Sequence, residues 1–234
     1  CTIIVSSPTT GSVKVDVSVT LTIDGYEGSA EVTRSTDGNA GPGGSDGAVK
    51  TWVDANITIG PDGRNPVNAP HTFTVTVKQD TGDGDGLVPA VGAPVTFGLA
   101  DTDGATSVVD EASSTCVTAG VTDENGQCTI VFTSSTAGTT TGNASTTLSV
   151  DGVTLNRDTD PSTDPPGHGP EGSGPAVKTW YEPPTTTTVA PVIPFTGANT
   201  SSLVVPAVGL LIAGLALMLA TARSITRRRR RRLV

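Results

Sequence analysis

Residues 71–77 read His-Thr-Phe-Thr-Val-Thr-Val, with Phe73, Val75 and Val77 at one parity and Thr72, Thr74 and Thr76 at the other. A period of two has one structural solution, an extended strand with an apolar and a hydroxylated face, because successive side chains of a strand point to opposite sides. The pattern recurs at Val95, Phe97 and Leu99, at Cys128, Ile130 and Phe132, at Leu148 and Val150, and earlier at Val17, Val19, Leu21 and Ile23. Residues 49–59 read as one further strand, with Val49, Val53, Ile57 and Ile59 on one face and Trp52 on the other. Between the runs lie turn residues: Gly82-Asp-Gly-Asp-Gly86, Asp101-Thr-Asp-Gly104, Asp123-Glu-Asn-Gly126 and Asp151-Gly152. At 35% hydrophobic and 3% aromatic, with 28 Gly and 17 Pro, the chain excludes a helix-rich enzyme with a large core. Several short strands in roughly 110 residues, with turns this frequent, imply an all-β sandwich.

An internal repeat organises the strands. Residues 1–25 align with 128–152 at eleven of twenty-five positions, and GPGGSDGAVKTW (41–52) aligns with GPEGSGPAVKTW (169–180) at nine of twelve. A period of about 127 residues marks a structural module repeated along the chain. The expected division is 1–47 as the C-terminal part of an upstream copy, 48–155 as the complete domain, and 156–192 as a Pro/Gly/Thr-rich linker and stalk. In that division Ala176 to Trp180 begin a further, broken-off copy, and the whole is expected to be the C-terminal piece of something longer. Residues 193–234 complete the chain.

Residues 203–222 carry no charge, and at 1.5 Å per residue they are long enough to cross the ~30 Å hydrocarbon layer as one transmembrane helix. Arg223 and Arg227, Arg228, Arg229, Arg230, Arg231 and Arg232 follow, which by the positive-inside rule stay in the cytoplasm and leave the preceding residues outside. Up to Ala222 the chain has seven basic residues against twenty-three acidic ones, so its body repels phosphate backbones and no nucleic-acid partner is expected.

Just before the span stands Ile193-Pro194-Phe195-Thr196-Gly197, preceded by the Thr/Pro run PPTTTTVAPV. Pentapeptide, apolar span and basic tail together resemble the cell-wall sorting signal of Gram-positive surface proteins, LPxTG followed by a span and a positive tail, with Ile193 where the family has Leu. The resemblance implies that a membrane sortase attacks the Thr196 carbonyl with its Cys, cleaves between Thr196 and Gly197, and transfers the chain to an amine of peptidoglycan. Pro194 then bends the substrate into the sortase groove, and the Arg tail retains it at the membrane. An uncleaved single-pass membrane protein is the alternative. The blocks AVKTWVDANITI, APHTFTVTV, GAPVTFGL and TDENGQCTIVFTSSTAGT resemble bacterial immunoglobulin-like domains of the group found in invasin and intimin stalks, especially tandem copies in actinobacterial wall-anchored proteins. That resemblance implies an immunoglobulin-like β-sandwich.

Cys116 and Cys128 bracket a segment whose Asp-Glu-Asn-Gly turn folds it back on itself, which suits a disulfide, with two buried free thiols as the alternative. Cys1 is the counterpart of Cys128, and lipidation at Cys1 is a rival reading. Three Cys and two distant His offer no four-ligand zinc set, and the acidic turns lack the full calcium-loop spacing, so no metal or cofactor is expected. His71 and His168 have no nucleophile context, so no catalytic residue is assigned and the protein is read as a non-enzyme. The expected function is a cell-surface stalk of tandem modules anchored in the wall, with an adhesin whose modules bind a surface ligand directly as the alternative.

Overall fold

A computed structural model describes residues 1–163 and 167–185. Ile193, Pro194, Phe195, Thr196, Gly197, the apolar segment 203–222, Arg223 and the arginines 227–232 lie outside the described residues. Among the described residues no helix is long and apolar enough to cross a membrane.

The described chain is all-β apart from two short helical turns. The first quarter contributes β1 (Gly11–Val15), β2 (Ser18–Gly25), β3 (Gly28–Ser35) and β4 (Ala48–Trp52). Then follow β5 (Asp54–Gly60), β6 (Gly63–Pro66), β7 (His71–Asp80), β8 (Val88–Pro89), β9 (Thr96–Thr102), β10 (Ser107–Val109), β11 (Gln127–Ser134), β12 (Gly138–Val150), β13 (Val153–Asp158) and β14 (Ala176–Tyr181), with the one-turn helix α1 (Thr115–Thr118) before β11. One sheet runs β10-β11-β7-β5 with β8 on β7, and the other runs β13-β12-β14-β6 with β9 on β12.

The alternation read from sequence sets which sides meet. From β7, Phe73, Val75 and Val77 are fully buried, and from β5 so are Ala55 and Ile57; Cys128, Ile130 and Phe132 join them from β11. Ala144, Leu148 and Val150 of β12 and Ala176 and Trp180 of β14 close on them from the other sheet. Each such aliphatic or aromatic side chain contributes about 1.5–3 kcal/mol on leaving water.

Few apolar residues suffice because hydroxyls serve backbone N–H groups both at the surface and in the interior. Ser114 Oγ accepts from Val131 N at 2.9 Å and Thr115 Oγ1 accepts from Thr129 N at 2.8 Å, so the segment entering α1 fastens to β11 through side chains instead of a strand ladder. Thr159 Oγ1 takes Ala144 N at 2.8 Å, and Thr122 Oγ1 takes Ala93 N at 2.9 Å. A buried N–H left without such a partner would cost about 1–3 kcal/mol.

The repeat is partitioned differently from the sequence expectation. β4 pairs antiparallel with β1, Gly11 opposite Trp52 and Val15 opposite Ala48; β14 pairs with β12 in the same register, Gly138 opposite Trp180 and Gly142 opposite Ala176. The AVKTW segment is therefore the closing strand of the copy that precedes it, not the opening of the next. The complete copy spans 54–181 instead of 48–155, and Ala176–Tyr181 complete its sheet rather than beginning a broken-off copy. Residues 49–59 are likewise two strands of two copies, separated at Val53. Trp180, the counterpart of Trp52, is a core residue.

Cys116 and Cys128 form a disulfide with Cα atoms 5.0 Å apart, tying α1 to β11, and Cys1 is free and exposed. Closing a loop with a sequence separation of 12 should stabilise the complete copy by about 3 kcal/mol. Reduction, or Cys116→Ser with Cys128→Ser, is expected to lower the denaturant midpoint read from Trp180 fluorescence accordingly; an unchanged midpoint would contradict it.

Candidate functional site at the copy junction

Trp52 ends β4 and Asp54 begins β5, so a single residue, Val53, joins the two copies. Val53 is partly buried against the core of the complete copy, which leaves little free chain to act as a swivel. Across the joint, Thr10 Oγ1 donates to Asp80 Oδ2 at 2.7 Å, while Asp80 Oδ1 accepts from Gly82 N at 2.8 Å. Asp80 is buried, so both its oxygens are committed, one to each side of the joint.

Gly82 has φ +73°, and a Cβ there would stand 2.6 Å from the Trp52 carbonyl oxygen and 2.8 Å from Thr51 Cγ2. The glycine both makes the turn and lets the loop after β7 touch the end of the β1–β4 pair. The base of β5 is held too. Arg157 pairs with Asp54 and donates from Nε to the Ala55 carbonyl at 2.6 Å. Its exposed edge is occupied by residues 168–173: Ile57 N donates to the His168 carbonyl at 3.0 Å, Ser173 N donates to the Ile57 carbonyl at 3.2 Å, and Ile59 N donates to Ser173 Oγ at 3.0 Å. Covering the edge in this way removes a template for strand addition.

The acidic turns hold loops. Asp83 accepts from Asp85 N at 2.9 Å and from Thr81 Oγ1 at 2.7 Å, and these bonds keep its carboxyl below the usual carboxylate range. Asp123 takes Gln127 N and Asn125 N, each at 2.9 Å, with the same consequence. Among the described residues no group of three His, Cys, Asp or Glu is placed to hold a metal ion. His168 Nδ1 lies 2.8 Å from the Gly169 carbonyl, on the linker, and His71 is at the other end of the complete copy from the junction loop, at the start of β7.

His71 packs edge-on to Phe73 and Phe132, with ring centroids 5.0 and 5.6 Å apart, and Phe132 packs edge-on to Trp180. Beside this cluster lies the residue that sequence reasoning missed. Lys178 is fully buried, its Nζ has no hydrogen-bond partner, and it sits 5.0 Å from the centre of the Trp180 ring. Burial lowers its pKa. The signal was the parity of Ala176, Lys178 and Trp180, which places all three on one face of β14.

Two outcomes are expected at this cluster. Burial first, and then the Lys178 charge, push the His71 pKa below its ordinary 6.5, outweighing the contact of Nε2 with the Pro61 carbonyl. The unfolded chain therefore takes up a proton near pH 6.5 while the fold does not, so the contribution is fully present above 6.5 and declines as pH falls toward the folded value. Stability measured from pH 8 to 5 should show this decline, and His71→Phe should flatten it; an undiminished slope would assign it elsewhere. Lys178→Met, which removes the unsatisfied amine and keeps its length, should stabilise by about 1–3 kcal/mol in equilibrium unfolding. A loss of stability would mean that the cation–π contact with Trp180 outweighs the burial cost.

Compared with known proteins, the chain matches no protein-family model, no curated protein and no solved structure.

Proposed function

We propose that the protein is a cell-surface stalk, built from immunoglobulin-like β-sandwich copies in series and covalently anchored to a Gram-positive cell wall by sortase. The observation that carries the stalk reading is the joint: copies whose closing strands share one register follow each other through a single residue, with the Thr10–Asp80 bond and the Gly82 approach across it. A series of this kind gains length with every copy while each contacts only its neighbours. The disulfide and the backbone-serving hydroxyls suit an exported module with a small apolar core.

Anchoring rests on residue order: Ile193-Pro194-Phe195-Thr196-Gly197, the uncharged residues 203–222, then Arg223 and the arginines 227–232. In this reading the span and tail hold the pentapeptide outside the membrane within reach of sortase, six adjacent arginines being costly to draw through a bilayer. Cleavage leaves Thr196 as the last residue, in amide linkage to peptidoglycan. No catalytic role and no cofactor is part of this reading.

The test is expression in a sortase-bearing Gram-positive host. Muralytic digestion should release the wild-type chain without residues 203–222, and Thr196→Ala should leave the protein in the membrane or the medium. A released chain that still carries 203–222, or one that extracts fully with mild detergent alone, would make it a membrane-anchored protein instead.

A further inference from the structure

The six inward positions of β12, namely Thr140, Gly142, Ala144, Thr146, Leu148 and Val150, correspond by the repeat to Val13, Val15, Val17, Val19, Leu21 and Ile23. In the complete copy Thr140, Ala144, Thr146, Leu148 and Val150 are at most 7% exposed. Their counterparts Val13, Val17, Val19, Leu21 and Ile23 are 43–52% exposed, although β1 and β4 pair in the same register as β12 and β14. The difference is the sheet of β5, β7 and β11 that covers β12. Residues 1–5, the counterpart of 128–132 in β11, form no strand, and an open trough of about 850 Å³ is lined by Ile3, Val5, Val15, Val17, Val19 and Val49 among others.

We propose that this face is an acceptor surface for a sheet equivalent to residues 54–127, supplied by another copy of the same repeat, and that the occupant's cysteine at the Cys116 position forms a disulfide with Cys1. The occupant is identified by the repeat itself, since among the described residues the equivalent positions of β12 are buried by a sheet of that sequence. Cys1 corresponds to Cys128, which is bonded to Cys116, and Cys1 is free. Bond formation removes one proton and one electron from each thiol; with oxidised glutathione as oxidant, its disulfide is reduced to two glutathione thiols.

The surface also selects its occupant by size. A Cβ at position 142 would stand 2.6 Å from Phe73 Cε2, so Gly142 is the notch that admits the Phe73 ring. Val15 fills the equivalent notch. The matching sheet therefore carries a side chain smaller than Phe at the Phe73 position, because overpacking a closed core by a few methyl groups forces strain. The proposal stands on the repeat register and not on wall anchoring, so failure of the sortase test leaves it untouched.

The experiment joins a duplicate of residues 54–127 ahead of Cys1 in the full chain, reconstituted in lipid nanodiscs, either unchanged or with Phe73→Val in the duplicate. With the Phe73→Val duplicate, amide exchange over residues 17–23 should slow by roughly two orders of magnitude relative to the unextended chain. In a glutathione buffer, non-reducing peptide mapping should join Cys1 to the duplicate's Cys116. The unchanged duplicate should protect less, and Leu21→Asp in the extended chain should restore fast exchange. Unchanged exchange with Cys1 still alkylatable in both extended chains would overturn the acceptor assignment, and stronger protection by the unchanged duplicate would overturn the size argument. Concentration-dependent protection of 17–23 in the unextended chain would give the face to a second copy of this chain instead.

Discussion

The interior layer between β5, β7 and β11 on one side and β12 and β14 on the other is the constraint from which the rest of the architecture follows. An isolated sheet with one apolar face is unstable in water, and three or more strands become independent only when that face is covered. Residues 54–181 satisfy this within one copy. The pairs β1–β4 and β2–β3 do not, and their inward-type residues remain half exposed. The repeated face is thus buried in residues 54–181 and half exposed in residues 13–23.

A core this poor in aromatic residues depends on how its polar atoms are spent. Trp180 Nε1 donates to Thr140 Oγ1 at 3.0 Å, and Thr140 in turn donates to Asp101 Oδ1 at 2.7 Å. Burial opposes ionisation of Asp101, but its bonds from Ser107 and Thr140 outweigh that and keep its carboxyl below the usual range. The Thr-rich composition is therefore more than strand propensity, because a buried threonine replaces a water molecule that the interior has no room for. Among the described residues Lys178 Nζ, Asn143 Oδ1 and Thr146 Oγ1 are the exceptions, buried without a hydrogen-bond partner, and for Lys178 the compensation is the face of Trp180.

The strands were legible because the period of two is set by backbone geometry alone: the parity of Phe73, Val75 and Val77, and that of Cys128, Ile130 and Phe132, is the parity of burial. The start and end of a copy were not legible, for a reason inherent in repeats. Self-similarity fixes a period but no phase, so AVKTW fits the opening of one copy as well as the close of another. The burial of Lys178 was hidden for a different reason, since a charged residue normally faces water. The junction was equally hidden, because Thr10 and Asp80 are seventy positions apart and neither stands in a local motif.

Placing the closing strand is therefore the central structural statement, and fragment stability tests it directly. Two fragments, 53–184 and 48–155, should be expressed and unfolded in denaturant while their circular dichroism and tryptophan fluorescence are followed. The first contains β5 to β14 and should unfold in one cooperative transition. The second has exchanged β14 for β4, leaving the N-terminal half of β12 paired with β9 alone and β6 without its partner strand, and should show no cooperative transition. A 48–155 fragment as stable as 53–184 would contradict the account.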